Sequence, residues 1–162
     1  MGNPAVGIIM GSDSDLDVMK GVADVLESFG VDNELRVLSA HRTPDETSTY
    51  VKGAADRGLK IIVAGAGGSA HLAGVTAAQT NLPVISIPIK REGHGDEALL
   101  SNVAMPPGIP LATMPANGSK NAALLAVRIL ALADADLAQK YSDFVQKQHD
   151  DVLAKDAKLQ AG

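Results

Sequence analysis

Chemistry-bearing residues gather in four short clusters: Gly11-Ser12-Asp13-Ser14-Asp15, Ser39-Ala40-His41-Arg42, Gly65–His71 and the loop around His94. His41 carries the side chain whose proton moves near neutral pH, so it can serve as acid and base within one cycle. Arg42 beside it offers a planar fork that fits a phosphate, whereas a solvated turn needs neither residue. Capping a helix accounts for one of Ser12, Ser14 and Asp15. Two serines and two aspartates within four residues exceed that need. Hydroxyls and free amides at a helix start hold anions, and Asp15 would then accept hydrogen bonds from sugar hydroxyls.

The remaining candidates are more ambiguous. Gly65–Ala70 matches Gly-x-Gly-x-x-Ala, a dinucleotide fingerprint variant, but it lies in mid-chain. Ile87-Pro88-Ile89-Lys90 stands where the acidic ribose partner belongs. Small residues that let backbone amides close on a small group are the better reading. His71 either faces that pocket or is satisfied inside a helix start. His94, between two glycines, belongs to a surface loop or a mobile lid, and His149 to a solvated charged tail. His41, His71 and His94 lack the short-range pairing of metal ligands, so no metal site is expected. Neither a P-loop nor Gly-x-Ser-x-Gly occurs.

These clusters need elements to hold them. Ala5–Met10, Glu34–Leu38, Lys60–Ala64 and Pro83–Pro88 read as strands, and Ile109–Met114 as a shorter fifth one. Val18, Val22, Val25, Leu26 and Phe29 form the apolar stripe of a helix that Gly30 ends. Thr43-Pro44-Asp45-Glu46 reads as a capping box opening a helix to about Arg57. Further helices are expected at about Ser69–Thr80, Glu97–Ala104, Lys120–Ala133 and Asp136–Lys155. The helix after Lys120 is apolar almost all round, which predicts burial on two sides, the second against another subunit. Alternating strands and helices predict an α/β fold with one parallel sheet and helices on both faces. Each polar cluster then follows a strand, so all four converge on the crevice at the carboxyl ends of the sheet.

Composition narrows the function. At 162 residues, 46% hydrophobic, the chain suits a single domain with a real core. A net charge of −5 gives no overall attraction to nucleic acid, and two Tyr and two Phe make a poor stacking platform. The absence of cysteine removes disulfides, thiol nucleophiles and thiolate metal sites. Met1-Gly2-Asn3-Pro4 lacks a signal-like start and no apolar run suits a membrane span, so a cytoplasmic protein is expected. Three function classes remain: an enzyme, a nucleotide- or flavin-binding module, and a structural oligomeric domain. The scarcity of aromatics counts against a flavin, and a structural domain leaves His41 and Arg42 unexplained.

Three motifs taken in order add a resemblance. Met10-Gly11-Ser12-Asp13-Ser14-Asp15, Ser39-Ala40-His41-Arg42-Thr43-Pro44 and Ala64-Gly65-Ala66-Gly67-Gly68-Ser69-Ala70-His71-Leu72 closely resemble the 5-(carboxyamino)imidazole ribonucleotide mutase family of purine biosynthesis, PurE. Met105–Pro110 and Asn121–Ala126 extend the match over roughly residues 5 to 133. The resemblance implies a three-layer, flavodoxin-like α/β/α sandwich, doubly wound, in one domain. It implies a homo-octamer, with the final helix packing on a neighbouring subunit, and no metal, nucleotide or organic cofactor.

It further implies that a carboxyl group moves from an exocyclic amine to a ring carbon of a ribonucleotide through trapped carbon dioxide. His41 aligns with the catalytic histidine. Ser12, Asp15 and Arg42 align with residues holding the ribose phosphate, and Ser14 and Ser39 with supporting contacts. Gly67, Gly68, Ser69, His71 and Leu72 align with the pocket around the migrating carboxyl group. A related branch carboxylates aminoimidazole ribonucleotide directly; it has lysine in place of Arg42 and lacks the histidine at His71. Ala73 in place of proline, a highly charged Lys90–Asp96 loop and a shortened Pro115–Lys120 stretch depart from the pattern.

Overall fold

The computed structural model describes residues 3–91 and 96–161. The apolar runs become five parallel strands, β1 (Val6–Met10), β2 (Asn33–Val37), β3 (Ile61–Gly67), β4 (Val84–Ile89) and β5 (Ala112–Thr113), in the order β2-β1-β3-β4-β5. A 3-10 turn at Asp13–Asp15 leads into α1 (Leu16–Ser28). The other helices are α2 (Pro44–Lys52), α3 (Leu72–Ala77), α4 (Glu97–Val103), α5 (Ser119–Leu130) and α6 (Ala135–Ala161).

Strand side chains alternate between faces, so the sheet has two cores. Ile8, Met10, Val63 and Ile87 pack with α1 and α5 on one side. Ile9, Ile62, Ala64 and Val84 pack with α2 and α3 on the other. The result is the expected flavodoxin-like three-layer sandwich, and its strand order reverses between β1 and β3. Gly65 has a packing reason: a methyl group there would run into the Met19 thioether of α1.

Several boundaries differ from expectation. β3 continues through Gly65, Ala66 and Gly67, because pairing with β4 persists to Gly67↔Ile89. β5 shrinks to two residues, since Pro110 within the expected run brings no N–H to a ladder. α2 stops at Lys52 rather than Arg57. There the chain turns so that the Arg57 guanidinium donates to the Tyr50 carbonyl at 3.2 Å and sits 4.5 Å from the Tyr50 ring centre.

The capping box does not form. The Thr43 hydroxyl donates to the Ser39 carbonyl and accepts from the Ser39 N–H at 2.9 Å, bracing the loop that carries His41 instead. α3 is reduced to Leu72–Ala77, because Gly68 and Ala70 take left-handed backbone angles (φ 61° and 45°) before it. Within its own chain α5 packs against α1, β4 and α6. α6 is longer than expected at 27 residues, which corresponds to about 40 Å. Leu137 is its one buried residue. Among the described residues no helix is long and apolar enough to cross a membrane.

Candidate active site

Parallel strands put the carboxyl ends of β1, β2, β3 and β4 at one edge, and three of the four polar clusters meet there. They line an open cavity of about 140 Å³. From the loop after β1 come Gly11, Ser12 and Asp15; from the loop after β2, Ser39, Ala40, His41 and Arg42. β3 and its following loop add Ala66, Gly67, Ala70, His71 and Leu72. The cavity therefore sits at the β1/β3 switch point, where an open sheet parts to admit a ligand.

Two imidazoles dominate it. His41 Nε2 lies 2.8 Å from His71 Nδ1, with the rings near perpendicular at 81°. Thirty residues separate them in sequence, so only the sheet brings them together. One nitrogen of the contact donates and the other accepts. Ala70, in its left-handed conformation, sets the direction in which His71 leaves β3; its N–H donates to the Gly67 carbonyl at 3.1 Å. Such strained residues persist where surrounding structure over-determines them.

The polar wall is braced by short bonds. Ser12 accepts from the Ser14 N–H at 3.3 Å and from the Ser14 hydroxyl at 2.9 Å. Arg42 Nε donates to the Ser39 hydroxyl at 3.3 Å, and Arg42 Nη2 donates to the Gly11 carbonyl, tying the first and second loops together. Asp15 is 1% exposed. Its partner is Arg91, at the end of β4: Nη2 donates to Asp15 Oδ1 and to the Ser14 hydroxyl, each at 2.7 Å.

Arg91 was not singled out from the sequence, although it obeys the rule that located the other clusters, following a strand end directly. His94, the candidate that the sequence offers in the same loop, lies outside the described residues. Gly68 lines an adjoining cavity of about 170 Å³. Ser69 is exposed and lines neither cavity. Among the described residues no three potential metal ligands cluster.

His41, Arg42 and His71 are all exposed. The described residues therefore line a cavity that stays open to solvent. Chemically, the arrangement joins a proton carrier to an anion-binding wall. Arg42 and Arg91 supply two fixed cations against the single carboxylate of Asp15. Ala66, Gly67 and Ala70 supply a neutral patch beside the histidines.

Known proteins share this architecture and sequence. The family model for AIR carboxylase matches residues 5–151. The N5-carboxyaminoimidazole ribonucleotide mutase of Thermotoga maritima is 48% identical over 158 residues, 97% of this chain and 92% of that protein. The mutase of Pyrococcus abyssi is 54% identical over 145 residues, 89% and 83% of the two chains. The phosphoribosylaminoimidazole carboxylase of Saccharomyces cerevisiae is 52% identical over 161 residues, but this chain spans 28% of its length. The crystal structure of Treponema denticola PurE matches with a TM-score of 0.88 at 31% identity, covering 96% of this chain and 98% of that one. A variant of PurE2 from the same organism matches at 0.90 with 29% identity, covering 98% and 99%. With a family model matching most of its length and relatives at about half identity, the chain belongs to the AIR carboxylase family, the PurE enzymes.

Proposed function

We propose that this enzyme is a mutase of purine biosynthesis. It converts N5-carboxyaminoimidazole ribonucleotide to 4-carboxy-5-aminoimidazole ribonucleotide. The observation that carries the reading is the His41–His71 contact of 2.8 Å inside a cavity also lined by Arg42, Ser12 and Asp15. The chemistry balances within the substrate. The carbamate N–C bond breaks, carbon dioxide leaves, and the nitrogen gains a proton. The ring carbon then forms its bond to carbon dioxide and loses a proton. One proton is taken up and one released, so a single group that cycles between acid and base suffices. His41 fills that role, and His71 accepts or donates across their shared hydrogen bond.

Arg42, Ser12 and Asp15 bind the ribose phosphate, with Ser14 and Ser39 supporting them. The patch around Gly67, Gly68 and Leu72 receives the carboxyl group, and Ser69 stands at its outer edge. A patch of Gly and Ala solvates a carboxylate poorly, which favours its departure as neutral gas. Because the imidazoles are exposed in one chain, retention of that gas calls for cover from a neighbouring copy. We assign α6 to that assembly, a homo-octamer. Its exposed Val145, Val152 and Leu159 recur every seven residues, the spacing of a helix seam.

Conversion of the carboxyamino substrate, followed by ultraviolet absorbance, tests the reading; no acceleration over the spontaneous reaction overturns it. A second reading, direct carboxylation of aminoimidazole ribonucleotide, draws support from the 52% identity to the yeast carboxylase. The same assay with aminoimidazole ribonucleotide and bicarbonate distinguishes them. Arg42 and His71 favour the mutase.

A further inference from the structure

Arg91 is the one cavity-lining cation that the family motifs leave without a role. Its position is built. Asn117, in a left-handed turn (φ 56°), accepts from the Lys90 N–H at 2.9 Å and donates to the Lys90 carbonyl at 3.1 Å. Its own N–H donates to the Pro88 carbonyl at 2.9 Å. The strand end that launches Arg91 is thus held at three points by the short Pro115–Gly118 turn. The guanidinium reaches across the sheet edge to Ser14 and Asp15, bridging 76 residues of sequence.

Both of those bonds fall on Nη2. The planar fork has further donors, and the side chain stays half exposed at 49%. Arg91 also stands between the two cavities and lines each of them. Gly67 supports this course: a methyl group there would meet the Ile89 carbonyl at 3.1 Å and lie 3.7 Å from Arg91 Nε. The buried Asp15 carboxylate fixes one edge of the guanidinium, and the Ser12–Ser14 hydroxyl pair lies beside it. Arg42 lines the same cavity, so a phosphate beside those hydroxyls would come within reach of two guanidinium groups.

We infer that Arg91 is a specificity-determining residue that binds the phosphate of the substrate, making with Arg42 a two-sided clamp. Asp15 orients it and Asn117 positions its backbone. The inference rests on the ribonucleotide reading of the site. It extends that reading by naming the group that makes the enzyme prefer a phosphorylated ligand over the free nucleoside.

The test compares wild type with Arg91→Ala and Arg91→Lys. A charge-assisted hydrogen bond to phosphate predicts that Arg91→Ala raises KM for the carboxyamino substrate about 10- to 100-fold with kcat little changed. Arg91→Lys should recover part of that loss, because it restores the charge without the fork. Ribose 5-phosphate and ribose serve as competing probes. Wild type should be inhibited better by the phosphorylated sugar, and that preference should collapse in Arg91→Ala.

An unchanged KM, or equal weakening of ribose and ribose 5-phosphate, overturns the inference and leaves Arg91 as a counter-ion for Asp15. Thermal shift with the two sugars separates this result from the mutase reading. If wild type turns over no substrate yet is stabilised by ribose 5-phosphate through Arg91, the reaction is misassigned and the clamp stands. If wild type turns over substrate and Arg91→Ala is indistinguishable from it with both sugars, the clamp alone fails.

Discussion

At the scale of single residues, the His41–His71 hydrogen bond decides what each ring can contribute. A ring already sharing its proton with a neighbour is oriented before substrate arrives, which lowers the entropic part of the barrier. His41→Asn keeps a polar amide at the position but removes the proton carrier and, being shorter, the contact that Nε2 makes with His71. It should lower kcat by about 10²- to 10⁴-fold while the circular dichroism spectrum stays that of wild type; retained turnover would remove His41 from the mechanism. Arg42→Ala should instead act on KM, raising it by about 10-fold or more if Arg42 holds the phosphate as proposed. A steady-state comparison of the two variants separates proton transfer from binding, since each is expected to move a different constant.

Secondary-structure elements meet at a second polar cluster, away from the cavity, where α2 packs on the sheet. Tyr50 of α2 is buried, and its hydroxyl lies near Glu34 without a well-formed hydrogen bond. Burial first, then the Glu34 carboxylate, push the phenol's pKa upward. Glu34 of β2 is pulled the other way. Burial would raise it, but Tyr50 and the Arg57 guanidinium, 3.0 Å away, together hold it below its unfolded value of 4.5.

Its contribution to stability is therefore present above that value and lost as pH falls through the lower folded one. Urea melts of Glu34→Gln against wild type should differ by about 0.5–1 kcal/mol near neutrality, a small figure because the pair is part-exposed. The difference should close in acid; a gap independent of pH would contradict the assignment. Close approach sets a further constraint in the same place. A methyl group on Gly7 of β1 would strike the Tyr50 hydroxyl and stand 3.2 Å from Leu59 Cδ1. Gly7→Ala should cost about 1–3 kcal/mol, and Tyr50→Phe in that background should recover much of it.

At the scale of the whole molecule, α6 is a helix with little to pack on within its own chain. Beyond Phe144, α6 presents Val145, Val152, Leu153 and Leu159 to solvent, an arrangement that a second copy would cover. Light scattering should then give a mass that is a multiple of 16.6 kDa; a species of protomer mass would overturn the assembly. Val152→Asp, on an exposed face, should lower that mass while leaving the protomer folded. On the proposed mechanism activity should fall with it, because the exposed histidines would lose the cover proposed to retain carbon dioxide.

Much of this was legible in the amino-acid order, for a local reason. Strand runs such as Val6–Met10, the stripe of α1 and the stop at Gly30 depend on side chains a few residues apart. The crevice rule then located Ser12, His41 and His71 without coordinates, since in a parallel sheet every strand end faces one way. Where local patterns had rivals, tertiary contacts won. Thr43 gave its hydroxyl to the Ser39 loop rather than to a helix cap, and Arg57 left α2 to reach Glu34. Gly65–Gly67 paired as strand once β4 lay alongside. Arg91 meeting Asp15 across 76 residues, and two imidazoles meeting across 30, had no local signature. Residue types and their spacing declared which chemistry was available, and the reversal of strand order between β1 and β3 decided which of those residues share a cavity.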